Sequence, residues 1–298
     1  MTAQIPQWLK EMVGKNKAAL RTQRALAAQN SLDRRALHSV CVEARCPNRG
    51  ECFNCGDATF MILGGICTRG CKFCAVTKQT PLPPDENEPA QVAKAVEEWG
   101  IAYAVLTSPT RDDLPDGGAE HFARVIGAIY ALTPQVKTEP LVPDFCGKKE
   151  SLEKVLQAGP SVLAHNIETT PALYERVRVG ADYKRSLDLL AHSKKVAPHI
   201  FTKSGLMLGL GETQEQVKAT LQDLRNSGVD LLTIGQYLAP SKEHHPVLRY
   251  PEPQEYKMWE EYALSIGFLG AACGPLVRSS YRAGALYKAA VLSRKLSE

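Results

Sequence analysis

Short apolar runs alternate with helical stretches about six times between residues 58 and 270, and no other feature limits the possible folds so tightly. The runs are ATFMIL (58–63), YAVLTS (103–108), the stretch Val136–Val142, SVLAHNI (161–167), FTKSGLMLGL (201–210) and LLTIGQYL (231–238). Their length and apolar continuity predict buried strands. Helices are predicted between them. One follows Pro89, with Val92, Val96 and Trp99 at i, i+4 and i+7. Others cover Ala119–Ala131, Glu150–Gln157, Pro171–Lys195 with a break at Gly180, and Gln254–Ser265. Thr213 and Gln216 have capping-box spacing ahead of Val217, Leu221 and Leu224. This alternation predicts an α/β fold, a parallel sheet with helices outside. Six units fall short of the eight that close a TIM barrel. The expectation is a partial (β/α)6 TIM-like barrel over 58–270. An N-terminal extension (1–57) and a C-terminal extension (271–298) would cover its open side.

Composition narrows the function classes. With 298 residues, 44% apolar and 23% charged, the chain reads as an ordinary globular protein. Apolar runs such as Ile101–Leu106 are far shorter than the ~18 residues of a membrane span. The first 20 residues lack the apolar core of a secretory signal and the Ser and Arg enrichment of a transit peptide, so a cytoplasmic location is expected. A net charge of +4 is too weak to imply nucleic acid. No H-E-x-x-H, G-x-S-x-G or P-loop pattern occurs. Trp8, Trp99 and Trp259 read as packing residues, and His244 with His245 as a solvated loop pair. Lys15, Lys17, Arg21, Arg24, Arg34 and Arg35 read as a solvated helical face, with docking of an acidic carrier domain as the functional alternative.

The nine cysteines carry the chemistry. Seven of them fall within 34 residues, an odd and crowded set for a chain of this length. Clustered thiols in a reducing compartment more often hold metal than pair as disulfides. CTRGCKFC (67–74) is a C-x3-C-x2-C that closely follows the first predicted strand. Parallel α/β folds place their chemistry at that end of a strand. Three thiolates suit zinc or an iron–sulfur cluster, and a four-iron cluster with three ligands leaves one iron open. CVEARCPNRGEC (41–52) is a C-x4-C-x5-C, followed by Cys55. It could be a closed zinc site or a second cluster, and spacing does not separate the two.

CTRGCKFC behind a strand is similar to the iron–sulfur motif of the radical S-adenosylmethionine (SAM) superfamily. Together with EARCPNRGEC upstream and RSSY near the C-terminus, it resembles the lipoyl synthase family. The resemblance runs from about Trp8 to Tyr281. It takes in RDDLPDGGA (111–119), HNIET (165–169), GADYKRSL (180–187), TKSGLMLGLGET (202–213), TIGQYLAPS (233–241) and ACGPLVRSSY (272–281).

The resemblance implies a partial barrel of the radical SAM type. It implies that Cys67, Cys71 and Cys74 hold a reducing [4Fe–4S] cluster whose open iron chelates SAM. An electron delivered there would cleave SAM to methionine and a 5′-deoxyadenosyl radical, the reagent needed for an unactivated C–H bond. Cys41, Cys46, Cys52 and Ser280 are implied as ligands of an auxiliary [4Fe–4S] cluster that the family consumes as its sulfur source. By residue type alone Ser280 would be a helix N-cap. The implied substrate is an octanoyl chain on a lysine of a lipoyl carrier domain or a glycine-cleavage H-type protein. Two sulfurs enter at C6 and C8, with two SAM molecules used per lipoyl group. SAM contacts are implied at Thr107, Ser108, Arg111 and Asp112, and at Asn166, Glu168, Arg178 and Lys203. Glu168 would orient the SAM amino group or ribose, and Arg178 would meet a carboxylate. A reducing electron donor and iron–sulfur assembly factors are the other implied partners, with no nucleic acid or membrane.

Some residues depart from the family pattern. Pro109, Thr110 and Pro140 replace other residue types, and Cys55 and Cys146 fill positions the family does not normally give to cysteine. Cys55 is read as a bystander thiol. Two other functions stand beside the leading one: a divergent radical SAM sulfur-insertion enzyme acting on another acyl substrate, and a non-catalytic zinc or iron–sulfur protein.

Overall fold

A computed structural model describes the backbone of residues 3–44, 46–55 and 59–297. The side chains of residues 17, 18, 20, 24, 28, 54, 55, 296 and 297 are also outside the description. Ala58, at the head of the first predicted strand, the Cys55 thiol, and the Lys17 and Arg24 side chains therefore lie outside the described residues.

The chain divides into two compact units. The N-terminal unit comprises residues 11–69 and 75–163, and the C-terminal unit residues 1–10, 70–74 and 164–298. The chain begins with α1 (Gln7–Ala18). The N-terminal unit then carries α2 (Gln23–Arg34), β1 (His38–Ser39), α3 (Val40–Glu43) and α4 (Arg49–Cys55). After them come β2 (Thr59–Met61), β3 (Ile66–Cys67), β4 (Thr77–Lys78), α5 (Glu88–Glu98), β5 (Tyr103–Thr107), α6 (Ala119–Leu132), β6 (Lys137–Leu141), α7 (Lys149–Gln157) and β7 (Val162–Ala164). Its main strands run in the order β1-β2-β5-β6-β7. β2, β5 and β6 are parallel, and β1 lies antiparallel on β2. The segment ahead of residue 58 thus contributes an edge strand, which its polar composition did not predict.

The helices form where their apolar positions repeat. In α6, Ala119, Phe122, Val125, Ile126 and Ile129 are buried, one stripe at helical spacing. α5 opens with Pro89 in its first turn and buries Val92 and Val96 as predicted. Trp99 ends that helix, stacks on Phe60 and donates from Nε1 to Ser31 Oγ at 3.0 Å, a packing role. Pro140 stands inside β6, paired with Leu106 of β5.

The C-terminal unit carries α8 (Tyr174–Val177), α9 (Tyr183–Val196), β8 (Phe201–Leu208), α10 (Gln214–Asn226), β9 (Leu231–Gln236), α11 (Pro253–Ser265), β10 (Gly270–Gly274) and α12 (Ala283–Ser297). The predicted break near Gly180 is real: that residue has φ +83°, and α8 and α9 lie on either side. Thr213 and Gln216 form the reciprocal capping box at the head of α10.

β8, β9 and β10 are parallel neighbours. β10 is a strand that the hydrophobic pattern missed, because GAACG has no β-branched residue. Close packing accounts for the glycine that opens it. A Cβ on Gly270 would lie 3.0 Å from Leu286 and 3.2 Å from Leu231. Among the described residues, no helix is long and apolar enough to cross a membrane.

Candidate functional site

In the N-terminal unit the first cysteine of C-x3-C-x2-C ends β3, and its surroundings are dense in hydrogen bonds. Cys67 Sγ accepts from the backbone N–H of Arg69 at 3.4 Å and of Thr110 at 3.3 Å. Thr68 laces the two strips together. Its N–H and Oγ1 both donate to Thr110 O, and Oγ1 accepts from the Asp112 N–H.

The Arg69 guanidinium is forked between two carboxylates. Nε and Nη2 donate to Asp112 at 2.7 and 2.9 Å, and Nη1 and Nη2 donate to Asp144 at 2.9 and 2.6 Å. Burial opposes the charge on Arg69, but hydrogen bonds to Asp144 and Asp112 outweigh it and hold the guanidinium firmly cationic. Asp112 is also buried in part, and Arg69 nevertheless keeps its carboxyl below the usual range. Neither Arg69 nor Asp144 was singled out by the sequence pattern.

The residues implied for SAM at the end of β5 divide by what occupies them. Thr107 Oγ1 donates to Leu141 O at 3.2 Å. Arg111 is buried, with its donors on Leu63 O, Leu82 O and the Asp113 carboxylate. Asp112 is engaged by Arg69. Ser108 Oγ alone of this group is buried with no hydrogen-bond partner. An orphaned buried hydroxyl at the C-terminal end of a parallel strand fits a polar ligand there.

In the same unit Cys41 is buried just after β1, its N–H bonded to Ser39 Oγ at 3.2 Å. The Cys46 N–H returns to Cys41 O at 3.1 Å, and Cys52 sits within α4. Burial, followed by the neighbouring Cys46, pushes the Cys41 thiol up. These two cysteines are therefore brought close. None of the eight described cysteines is paired in a disulfide. Among the described residues, no three His, Cys, Asp or Glu side chains converge as they would on a single ion. A four-iron cluster instead spreads its ligands over separate irons.

In the C-terminal unit the segment 70–74 is pinned at each residue from 72 on. The Lys72 N–H donates to Val177 O at 2.8 Å, and Lys72 O accepts the His245 N–H at 2.8 Å. Phe73 packs on the buried cluster of Leu173, Val177, Leu210, Tyr237 and Val247. His244 Nε2 donates to Cys74 O at 3.2 Å. The expectation of a solvated histidine pair is thus corrected. His245 is buried, with Nε2 donating to Leu210 O at 2.8 Å; the His244 ring and the His245 backbone N–H hold the cysteine segment to its neighbours. Two adjacent histidines in a polar loop gave no sign of this, because the bonds are to backbone carbonyls distant in sequence.

The HNIET stretch forms a polar centre here. The Asn166 amide donates to Glu168 Oε1 at 3.0 Å, and Asn166 Oδ1 accepts from Ser279 Oγ at 2.9 Å. Glu168 adopts φ +66°, held by its N–H on Gly205 O and by the Met207 N–H on its own carbonyl. A bulky residue pays for that conformation, so the fold over-determines it. Burial pushes the Glu168 carboxyl up, against the pull of Arg178 and Asn166.

Arg178 Nη1 donates to Tyr174 Oη at 2.6 Å and to Ser186 Oγ at 3.1 Å. Burial opposes the charge of Arg178, while Tyr174, Glu168 and Cys71 favour it and win. Asn166, Glu168 and Arg178 are therefore gathered as one polar group. Lys203 is fully buried on β8, on the same face as Gly205 two residues on. Ser280 lies in the turn ahead of α12, its carbonyl accepting the Ala283 N–H at 3.4 Å. The helix starts three residues later, so Ser280 is not its N-cap.

The family model described as the Radical SAM superfamily matches residues 61–224. The chain is 50% identical over 283 residues to the lipoyl synthase of Caldicellulosiruptor saccharolyticus, covering 95% of this chain and 97% of that one. It is 51% identical over 281 residues to the lipoyl synthase of Actinobacillus succinogenes, covering 94% and 86%. Among solved structures, HydG, a maturase of the [FeFe]-hydrogenase, matches with TM-score 0.55 at 13% identity over 89% of this chain and 65% of that one. Methylornithine synthase (PylB) matches with TM-score 0.54 at 15% identity, over 67% of this chain and 60% of that one. The structural matches establish a shared fold, the partial TIM-like barrel that the strand–helix alternation predicts.

Proposed function

The chain belongs to the lipoyl synthase family of the radical SAM superfamily, and from that premise we propose how its own residues divide the work. It is a radical SAM enzyme of the sulfur-inserting kind, a family that uses a [4Fe–4S] cluster and SAM. The proposal assigns Cys67, Cys71 and Cys74 as the ligands of that cluster. The donor set fits: Cys67 Sγ already accepts two backbone N–H bonds, the environment that stabilises a metal-bound thiolate. This is the observation that carries the assignment. When bound, the cluster supplies the electron that cleaves SAM.

Ser108 offers the unpaired hydroxyl, and Asn166, Glu168 and Arg178 the buried polar group, on which the amino and carboxylate ends of SAM would be oriented. Phe73 of the 70–74 segment packs on buried apolar residues, Val177 and Leu210 among them, which would hold the segment of Cys71 and Cys74 in place. Cys41, Cys46, Cys52 and Ser280 would hold a second cluster, spent as the sulfur substrate. A serine oxygen is a harder and weaker partner for iron than thiolate, which suits a cluster that must open. The acyl substrate is an octanoyl chain on a carrier-protein lysine, taking sulfur at C6 and C8.

The test is an anaerobic assay with SAM, a reductant and an octanoylated carrier peptide, followed by mass. Gain of two sulfurs is expected, with no net loss of hydrogen for the dithiol formed under reductant and loss of two hydrogens once it is oxidised in air to the disulfide. Cleavage of SAM without change in the octanoyl mass would move the assignment to another acyl substrate.

A further inference from the structure

We infer that Arg69 is a positioning residue for the SAM-site cluster: clamped between Asp112 and Asp144, it sets the backbone that donates two hydrogen bonds to Cys67 Sγ. The inference rests on the reading of Cys67 as a cluster ligand. Arg69 belongs to the cysteine motif, yet its side chain is only 8% exposed and makes four hydrogen bonds to two carboxylates. The Asp144 side chain is completely buried.

A buried ion pair of this kind contributes little net stability, since desolvation offsets most of the attraction. What it does supply is a fixed geometry, because a guanidinium fork accepts carboxylates in few orientations. The fold also incurs strain to place Asp144. Phe145 and Cys146 follow it with φ +47° and +52°, in the left-handed region that residues with side chains avoid. Asp144 Oδ1 closes that turn by accepting the Cys146 N–H at 3.1 Å. The Cys146 thiol adds a bond to Asp112 at 3.2 Å.

The consequence falls on Cys67. Asp112 and Thr110 lie on one strip and Cys67 to Arg69 on the other, and Thr68 ties them together. Locking Arg69 to Asp112 fixes the register of these strips, and with it the N–H groups of Arg69 and Thr110 on Cys67 Sγ. Hydrogen bonds to the sulfurs and nearby net charge both set the reduction potential of an iron–sulfur cluster. Arg69 serves both: it aligns the donors, and it neutralises two carboxylates.

The experiment uses the full chain reconstituted anaerobically. The cluster whose reduced electron paramagnetic resonance signal changes on adding SAM is followed, and its midpoint potential is measured. Arg69→Met is expected to shift that potential to more negative values, because it frees the strips and takes the guanidinium charge from both carboxylates. Arg69→Lys keeps the charge but not the fork and should recover less than half of the shift. An unchanged potential in Arg69→Met overturns the inference, and so does full recovery by lysine. Should Arg69→Met fail to assemble, Asp144→Asn is read instead by the rate of iron loss to a chelator. A rate about ten-fold above wild type is expected, and an unchanged rate overturns the clamp. Cys67→Ala separates the two claims. Survival of the SAM-responsive signal in that variant would sink the ligand assignment itself, whatever Arg69 does.

Discussion

Ser279 Oγ donates to Asn166 Oδ1 at 2.9 Å, joining the RSSY turn to the HNIET stretch 113 residues earlier in the chain. Asn166 in turn donates to Glu168, so one serine orients a pair of residues assigned to SAM. Ser279→Ala should cost about 1 kcal/mol of stability, the worth of one hydrogen bond, and weaken SAM binding. Ser280→Ala should leave SAM cleavage in place and end sulfur insertion. Urea unfolding and product analysis of the two variants separate the neighbours; identical behaviour would contradict the division.

The two cysteine sets should fail differently. Alanine at Cys67, Cys71 or Cys74 is expected to abolish formation of 5′-deoxyadenosine. Alanine at Cys41, Cys46 or Cys52 should permit it while stopping sulfur insertion. Iron per chain should fall from about eight to about four in either set, as expected for loss of one four-iron cluster. Iron analysis and chromatography of the nucleoside check this.

Gly205 has a steric reason. A Cβ there would lie 2.5 Å from Thr233 Oγ1 and 3.1 Å from Asn166 Oδ1. Gly205→Ala should therefore destabilise by about 1–3 kcal/mol, the usual cost of overpacking, and displace Asn166. Adding Thr233→Ala removes the nearer atom and should return part of the loss. Thermal unfolding of the single and double variants measures the recovery.

Arg111 is buried, and its hydrogen bonds to Asp113 hold that carboxyl below its ordinary value of 3.8. A folded-state value below the unfolded one means that the pair stabilises the fold above pH 3.8. That contribution is lost as pH falls through the lower folded value. Asp113 is 35% exposed, so solvent screens the pair. Asp113→Asn should cost about 1 kcal/mol at neutral pH, with the difference shrinking to nothing in strong acid. Denaturant titrations across pH read it directly.

The repeated pattern of apolar runs and helices was enough to predict a parallel α/β architecture, because burial on both faces of a strand demands continuous apolar sequence. The break at Gly180, the capping box at Thr213 and the amphipathic stripe of α6 are local properties, and each was legible from its own few residues. The C-x3-C-x2-C spacing likewise pointed to the radical SAM superfamily, since such intervals are written along the chain.

Other features were settled only by folding. β10 opens on Gly270 because Leu286 and Leu231 crowd that position, and no propensity marks such a strand. Arg111 read as a ligand contact but is buried under Leu63 O and Leu82 O. His245 read as a loop residue but anchors the segment of Lys72. Asp144 meets Arg69 across 75 positions of sequence. Hydrogen bonds and close packing between distant segments depend on which backbone groups meet in space. Residue type tells what a side chain can do, and only the tertiary arrangement decides which partner takes it.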